Sequence, residues 1–304
     1  MHSNKTQPEY LKHGDEVAII SPSFSIDKTK ILEAVILLEN WGLKVRVGDN
    51  AFKQNGPFAG SDGERLSDLQ LMTDDPDIKA VICSRGGYGL SRIISKVDFS
   101  ALKENPKWYV GYSDITVLHV WLSEVCGIMS VHSEMPLNFN NPEKTRRTMI
   151  SLQQALFGDL KSCEWEGPLY KADNVSGEIT GGNLSLVCSL IGTQADPVTK
   201  GKILFIEDVG EYYYRIDRML TSLKLAGKLE GLSALVIGGM NNIEDGSVSW
   251  GMSIEETISG IVSDYDYPLF FNFPAGHTGD NHAFYIGKQA KIVVKGEKVI
   301  LTFV

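Results

Sequence analysis

The residue best placed for chemistry is Ser113, in the run WYVGYSDITVLHVWL from Trp108 to Leu122. Here a short apolar strand turns sharply into a helix with a serine at the corner. A hydroxyl held there is exposed, and the first amides of the helix point toward it. An oxyanion formed on an attacked carbonyl would therefore meet N–H donors and a favourable dipole. The Asp114 N–H is the natural donor. Ile115 stands where the common G-x-S-x-G elbow has its second glycine, and serine is also a favoured helix N-cap. The run alone therefore fits a capping serine as readily as a nucleophile.

A serine hydroxyl is almost un-ionised at neutral pH and needs a base, itself oriented by a third group. Six histidines are present. His2 and His13 lie in the polar N-terminal region, and His119 sits inside a mostly apolar helix, where a structural role is expected. His132, His277 and His282 remain. His277 lies in Phe273-Pro274-Ala275-Gly276-His277, where Pro and Gly shape a loop just past a predicted strand, which suits a base. The orienting acid is Glu207 or Asp208, at the end of the apolar run 203–206. A further loop, Ser84-Arg85-Gly86-Gly87-Tyr88-Gly89, follows a predicted strand, and its glycines let backbone amides approach a ligand closely. It could cradle a phosphate, but it lacks both the full G-x-G-x-x-G and the G-K-[ST] ending.

The elements that must carry these residues alternate. Strands are predicted at 16–21, 43–47, 79–84, 108–110 and 128–132. Helices are predicted at 27–41, 62–72, from 90, 115–125 and 141–158. Alternation of this kind signals a parallel sheet covered by helices, a Rossmann-like α/β domain over residues 1–160. The polar stretch 161–175 reads as a linker. Residues 176–304 read as a second α/β or β-rich domain. It has a strand at 176–180 broken by Gly181-Gly182, and a helix from Asn183 as N-cap. Strands follow at 203–207, 234–238 and 269–273, helices at 215–225 and 254–262, and a C-terminal hairpin closes the chain.

Length supports two cores, since the 304 residues exceed one typical domain. A hydrophobic content of 43% and a charged content of 22% suit a globular protein with buried cores. The formal charge of −9 would repel phosphate backbones and anionic membrane surfaces, so neither nucleic acid nor membrane is expected as a partner. Cys83, Cys126, Cys163 and Cys188 show no metal-ligand spacing and suit a reducing compartment. The polar start of the chain and the lack of a long apolar span point to the cytoplasm.

Taken together, these residues resemble the LD-carboxypeptidase family, which includes muramoyltetrapeptide carboxypeptidases and microcin-immunity peptidases. The resemblance covers nearly the whole chain. It is carried by SPS (21–23), SRGGYG (84–89), GYSD (111–114), GGNL (181–184), LFIEDVGE (204–211), YRIDRML (214–220) and FPAGH (273–277) in that order. It implies a Ser113-Glu207-His277 triad at an interdomain cleft. It also implies an oxyanion hole from the Asp114 N–H and the amide of Gly87 or Gly86, with Arg85 and Tyr88 at the substrate. The implied reaction uses neither metal nor cofactor and hydrolyses an amide between an L-centre and a C-terminal D-amino acid, as in release of D-alanine from murein tetrapeptides during cell-wall recycling. Family members commonly form homodimers, which is the expectation here.

A fork-shaped guanidinium suits the free carboxylate of such a substrate; a buried salt bridge is the alternative role for Arg85. Where family members often carry His-Gly-Pro, this chain has His132-Ser133-Glu134, which leaves substrate choice open. Tyr212, Tyr213 and Tyr214 would either stack on substrate or pack. Two other functions compete: the same triad cleaving aminoacyl-nucleotide conjugates, and a non-catalytic small-ligand-binding protein, which the presence of all three triad residues argues against. A nucleotide-binding oxidoreductase would rest on fold analogy alone.

Overall fold

The structure, a computed structural model, describes residues 5–139, 142–171 and 173–304. His2, Asn141 and Ala172, which the readings above touch, lie outside them. The chain forms two compact units. The first runs to Leu160 and takes in Gly279–Tyr285, and the second holds Lys161–Thr278 and Ile286–Val304.

In the first unit, strands β1 (Glu16–Ile20), β2 (Lys44–Val47), β3 (Ile78–Cys83), β4 (Trp108–Gly111) and β5 (Ser130–His132) alternate with helices α1 (Lys28–Asn40), α2 (Asp62–Asp74) and α3 (Thr116–Trp121), and α4 (Pro142–Phe157) follows. The paired strands β2-β1-β3-β4-β5 are parallel, as the alternation requires. Central β1, β3 and β4 are buried almost throughout, which accounts for their unbroken apolar runs. Caps set the helix starts: the Asp27 side chain accepts from Thr29 N, and Ser61 with Glu64 forms a capping box.

Two helical expectations change here. From Leu90 the chain makes only 3₁₀ turns, Leu90–Arg92 and Ile94–Lys96. Gly89 enters at φ +139 and Val97 is already extended, so too few residues remain to repay helix nucleation. The helix after Ser113 is composite: a 3₁₀ turn Ser113–Ile115, then α3, then a wider π turn Leu122–Cys126.

The second unit adds β6 (Ser162–Glu166), β7 (Leu169–Tyr170), β8 (Val175–Asn183), β9 (Ile203–Val209), β10 (Ala234–Asn241) and β11 (Leu269–Phe270). Helices α5 (Leu184–Ser189), α6 (Tyr213–Leu225) and α7 (Ile254–Ile261) lie between them. Strand β12 (Phe284–Ile286) is the edge strand beside β5 in the first sheet, and β13 (Gln289–Lys295) and β14 (Lys298–Phe303) form the C-terminal hairpin. The eight strands of the second sheet are ordered β6-β14-β13-β8-β9-β10-β11-β7, with β8 to β11 parallel. Helices α5, α6 and α7 pack on it through a cluster that includes Leu184, Leu204, Ile216, Leu220, Leu235 and Ile258.

The stretch read as a linker thus contains two strands. Its β6 is Ser-Cys-Glu-Trp-Glu with only Cys163 and Trp165 buried, a period-two edge strand whose polar face concealed it. Nor does β8 break at its glycines. Gly181 (φ +108) and Gly182 (φ +147) pair with Phe205 and Ile206 in register. A Cβ on Gly181 would stand 2.0 Å from the Phe205 carbonyl oxygen, so glycine permits the strands to approach.

Candidate active site

Backbone topology alone gathers the motifs. In the first sheet β1, β3 and β4 are neighbours, and SPS, SRGGYG and GYSD follow their carboxyl ends. Open α/β sheets bind ligands at this edge.

Ser113 follows β4 with φ +64, a left-handed conformation that costs a non-glycine residue about 1–2 kcal/mol. Tyr112 before it is extended, and the Ile115 N–H returns to the Tyr112 carbonyl at 3.2 Å. The backbone therefore makes the sharp strand-to-helix corner despite Ile115, and Ser113 is the first residue inside the 3₁₀ turn, the N-cap place being held by Tyr112. The capping alternative is thereby removed. Behind the corner, His119 is fully buried. Its Nε2 lies 2.8 Å from the Gly111 carbonyl, and its Nδ1 lies 2.8 Å from Ser130 Oγ. Burial lowers its pKa to about 4, so the ring is neutral, with Nε2–H donating to Gly111.

The glycine loop lies against this corner. A Cβ on Gly86 would fall 2.9 Å from Ser113 Cβ, 3.0 Å from Ser113 Oγ and 3.2 Å from Asp114 N. Gly86 is thus required by close approach, whereas Gly87, at φ +111 beside the Phe24 ring, is required by conformation as well. The Asp114 carboxylate is fully buried. Its Oδ2 accepts from Ser23 Oγ at 2.6 Å and from Leu90 N at 3.0 Å. Burial raises its pKa, against the opposing pull of those two hydrogen bonds.

Arg85 donates from Nη1 to the Ser25 carbonyl at 2.9 Å and lies over the Phe24 ring at 5.7 Å. Among the described residues it has no carboxylate partner, so the salt-bridge role falls away. Tyr88 is exposed and leans toward Phe58.

The second unit settles which acid orients His277. Glu207, fully buried, accepts from His277 Nδ1 at 2.7 Å and from His277 N at 3.0 Å, both on Oε2. Asp208 instead receives Ser185 N and Oγ at the start of α5. Asn183 stands opposite Glu207 in register and reaches Glu207 Oε1 at 3.3 Å and Asp208 Oδ1 at 3.0 Å. Gly238, Gly239 and Gly276 let the histidine loop come close. A Cβ on Gly276 would sit 2.6 Å from Glu207 Cγ, and the Gly239 N–H donates to the Ala275 carbonyl at 3.0 Å. Because the carboxylate takes Nδ1–H, Nε2 carries the basic lone pair.

The other two histidines lie elsewhere. His132 is buried with its ring stacked on Phe284 at 4.6 Å. His282 Nδ1 lies 2.8 Å from the Ala283 carbonyl, and burial lowers its pKa. Tyr212 and Tyr214 stack on each other at 5.7 Å, partly exposed, and Arg215 lies over both rings. Tyr213, Tyr214, Val248 and Trp250 help to line a cavity of about 380 Å³. Buried Arg65, on α2, was not singled out from the sequence. Nothing in a helical Asp-Gly-Glu-Arg run distinguishes it from a solvated cation. Ser113, Asp114 and Gly86 thus belong together in the first unit, and Glu207 and His277 in the second.

Comparison with known proteins agrees with this picture. Residues 17–133 match the LD-carboxypeptidase N-terminal domain and residues 176–292 the LD-carboxypeptidase C-terminal domain. A probable murein peptide carboxypeptidase of Bacillus subtilis is 35% identical over 288 residues, covering 93% of this chain and 90% of that protein. The crystal structure of a muramoyltetrapeptide carboxypeptidase from Oxalobacter formigenes aligns with TM-score 0.85 and 28% identity, covering 95% of this chain and 98% of that one. The microcin C7 self-immunity protein in complex with aspartyl sulfamoyl adenosine has the same fold, with TM-score 0.87, 21% identity, and coverage of 97% and 98%. Fold and sequence define a two-domain serine carboxypeptidase of mixed α/β architecture, with a serine on a strand-to-helix corner. The chain belongs to the LD-carboxypeptidase family.

Proposed function

We propose that this chain is a serine LD-carboxypeptidase that removes a C-terminal D-amino acid from murein peptides, with D-alanine of the tetrapeptide as the leaving residue. The observation that carries this reading is the Glu207–His277 pair, a buried carboxylate on Nδ1 that leaves Nε2 as a base. In the proposed reaction Ser113 Oγ attacks the carbonyl carbon of the scissile amide and its proton passes to His277 Nε2. The oxyanion is held by the N–H groups of Asp114 and of Gly86 or Gly87. Collapse breaks the C–N bond as His277 protonates the departing amine. Water then hydrolyses the acyl ester by the same proton route. Arg85 would take the free carboxylate, and Tyr88 would flank the peptide.

The relatives' names support the substrate. Free cysteines throughout support a cytoplasmic setting, and no helix among the described residues is long and apolar enough to cross a membrane. The homodimer is proposed on family resemblance; light scattering that finds only the 33.5 kDa monomer would remove it.

The test is mass-spectrometric detection of D-alanine released from L-Ala-D-Glu-meso-diaminopimelate-D-Ala by wild type and by Ser113→Ala, in EDTA. Release by wild type alone is expected. No release from either, with cleavage of an aminoacyl-nucleotide conjugate instead, would replace the substrate; equal release would remove Ser113 as nucleophile.

A further inference from the structure

Two buried charged residues of opposite sign hold the same two pairs of consecutive residues. Arg65 (1% exposed) donates from Nη1 to the carbonyls of Pro22, at 2.6 Å, and Gly89, at 3.0 Å. Asp114 Oδ2 accepts from the next residue in each case, Ser23 Oγ at 2.6 Å and Leu90 N at 3.0 Å. The acceptors of 22 and 89 thus go to the cation and the donors of 23 and 90 to the anion. Gly89, at φ +139, presents its carbonyl and the following N–H to these opposite partners. Arg65 is itself anchored by Asp62 and lies over the Phe58 ring at 5.0 Å. The segment so fixed ends the loop whose Gly86 lies against Ser113 Oγ and Asp114 N.

We infer that Arg65 and the Asp114 side chain are positioning residues. Together they clamp the 22–23 and 89–90 segments and so hold the amides of Gly86 and Gly87 where an oxyanion forms at Ser113. The inference rests on the proposed serine chemistry. Neither side chain needs to touch substrate. A buried charge is costly unless paired and hydrogen-bonded, and a neutral pair would serve packing as well. What a guanidinium and a carboxylate add is several directional, charge-assisted bonds converging on one loop.

The substitutions differ in what they leave. Asp114→Asn can keep its amide oxygen at the Oδ2 place and so retain both bonds in weaker, uncharged form; Asp114→Ala retains neither. We expect kcat for D-alanine release within about tenfold of wild type in Asp114→Asn. In Asp114→Ala and Arg65→Met it should fall about a hundredfold, close to the loss of one oxyanion donor, with KM little changed. Ile31→Ala, a cavity in the buried face of α1, supplies a destabilised control whose kcat stays at the wild-type value well below its melting temperature. Hydrogen exchange of amides 84–92 is read in the same proteins and needs no substrate. It should accelerate at least tenfold in Arg65→Met relative to Ile31→Ala. Wild-type kcat in folded Arg65→Met, or unchanged exchange in 84–92, overturns the clamp. If wild type itself releases no D-alanine, the substrate reading fails while the exchange experiment still decides the clamp.

Discussion

His277 binds one oxygen of Glu207 twice, through its ring Nδ1 at 2.7 Å and through its own backbone N–H at 3.0 Å. The double attachment fixes the tautomer and the rotation of the ring together, because the carboxylate that accepts the ring proton also pins the main chain carrying the ring. Asn183 and the close approach of Gly276 restrain Glu207 in turn.

Glu207→Gln keeps the shape but offers the ring a neutral partner whose NH₂ can face Nδ1, favouring the wrong tautomer. We expect kcat for D-alanine release to fall by about 10³–10⁴, as for the analogous change in serine triads, with a near-native melting temperature. A loss below tenfold would detach Glu207 from the chemistry.

Ser113 is held at φ +64, so Ser113→Gly should relieve strain that Ser113→Ala keeps. Both variants should be inactive. The glycine variant should be the more stable of the two by about 1 kcal/mol in urea unfolding, after allowance for the greater freedom of unfolded glycine.

Gly86→Ala places a methyl 3.0 Å from Ser113 Oγ and 3.2 Å from Asp114 N, in the space an oxyanion would use. A fall in kcat of about a hundredfold is expected, with a loss of stability of about 1–3 kcal/mol, because the methyl also falls 2.9 Å from Ser113 Cβ and the corner must shift to admit it. Calorimetry and steady-state kinetics on one preparation separate the two effects.

Burial lowers the pKa of His119 from 6.5 to about 4. The unfolded chain therefore binds a proton that the folded chain refuses between these values. Stability from this residue is complete above about 6.5 and is lost as pH falls toward 4, at most about 3 kcal/mol in all. Urea midpoints of wild type minus His119→Gln across this range should fall with acidity. A flat difference would show that His119 is protonated in the fold.

How much of this was legible in the sequence depended on whether the signal was local. Strands β1, β3, β4, β9 and β10 stood out because burial on both faces leaves unbroken apolar runs, and Asn183 was readable as a cap from its type and place. Strand β6 was hidden because it buries alternate residues only, and β12 because three residues carry no period. In the first unit, the motifs identified Ser113 and its glycine loop, and a strained φ distinguishes the corner from a cap. Glu207 and Asp208 are neighbours of one chemical type, so only the direction of each side chain separates them: one receives His277, the other Ser185. Arg65 was invisible because its one local partner, Asp62, is what any solvated helical arginine could have, while the carbonyls it holds lie 43 and 24 residues away and have no sequence signature.

The edge strand of the first sheet comes from Phe284–Ile286, while the other five strands of that sheet are complete by His132. During synthesis β5 therefore waits for its neighbour until strands β6 to β11 of the second unit have been translated, and its free edge is open to pairing with other nascent chains in the interval. Emergence of Phe284–Ile286, rather than completion of the first 160 residues, is the event that gives β5 its partner in the sheet that leads into Ser113.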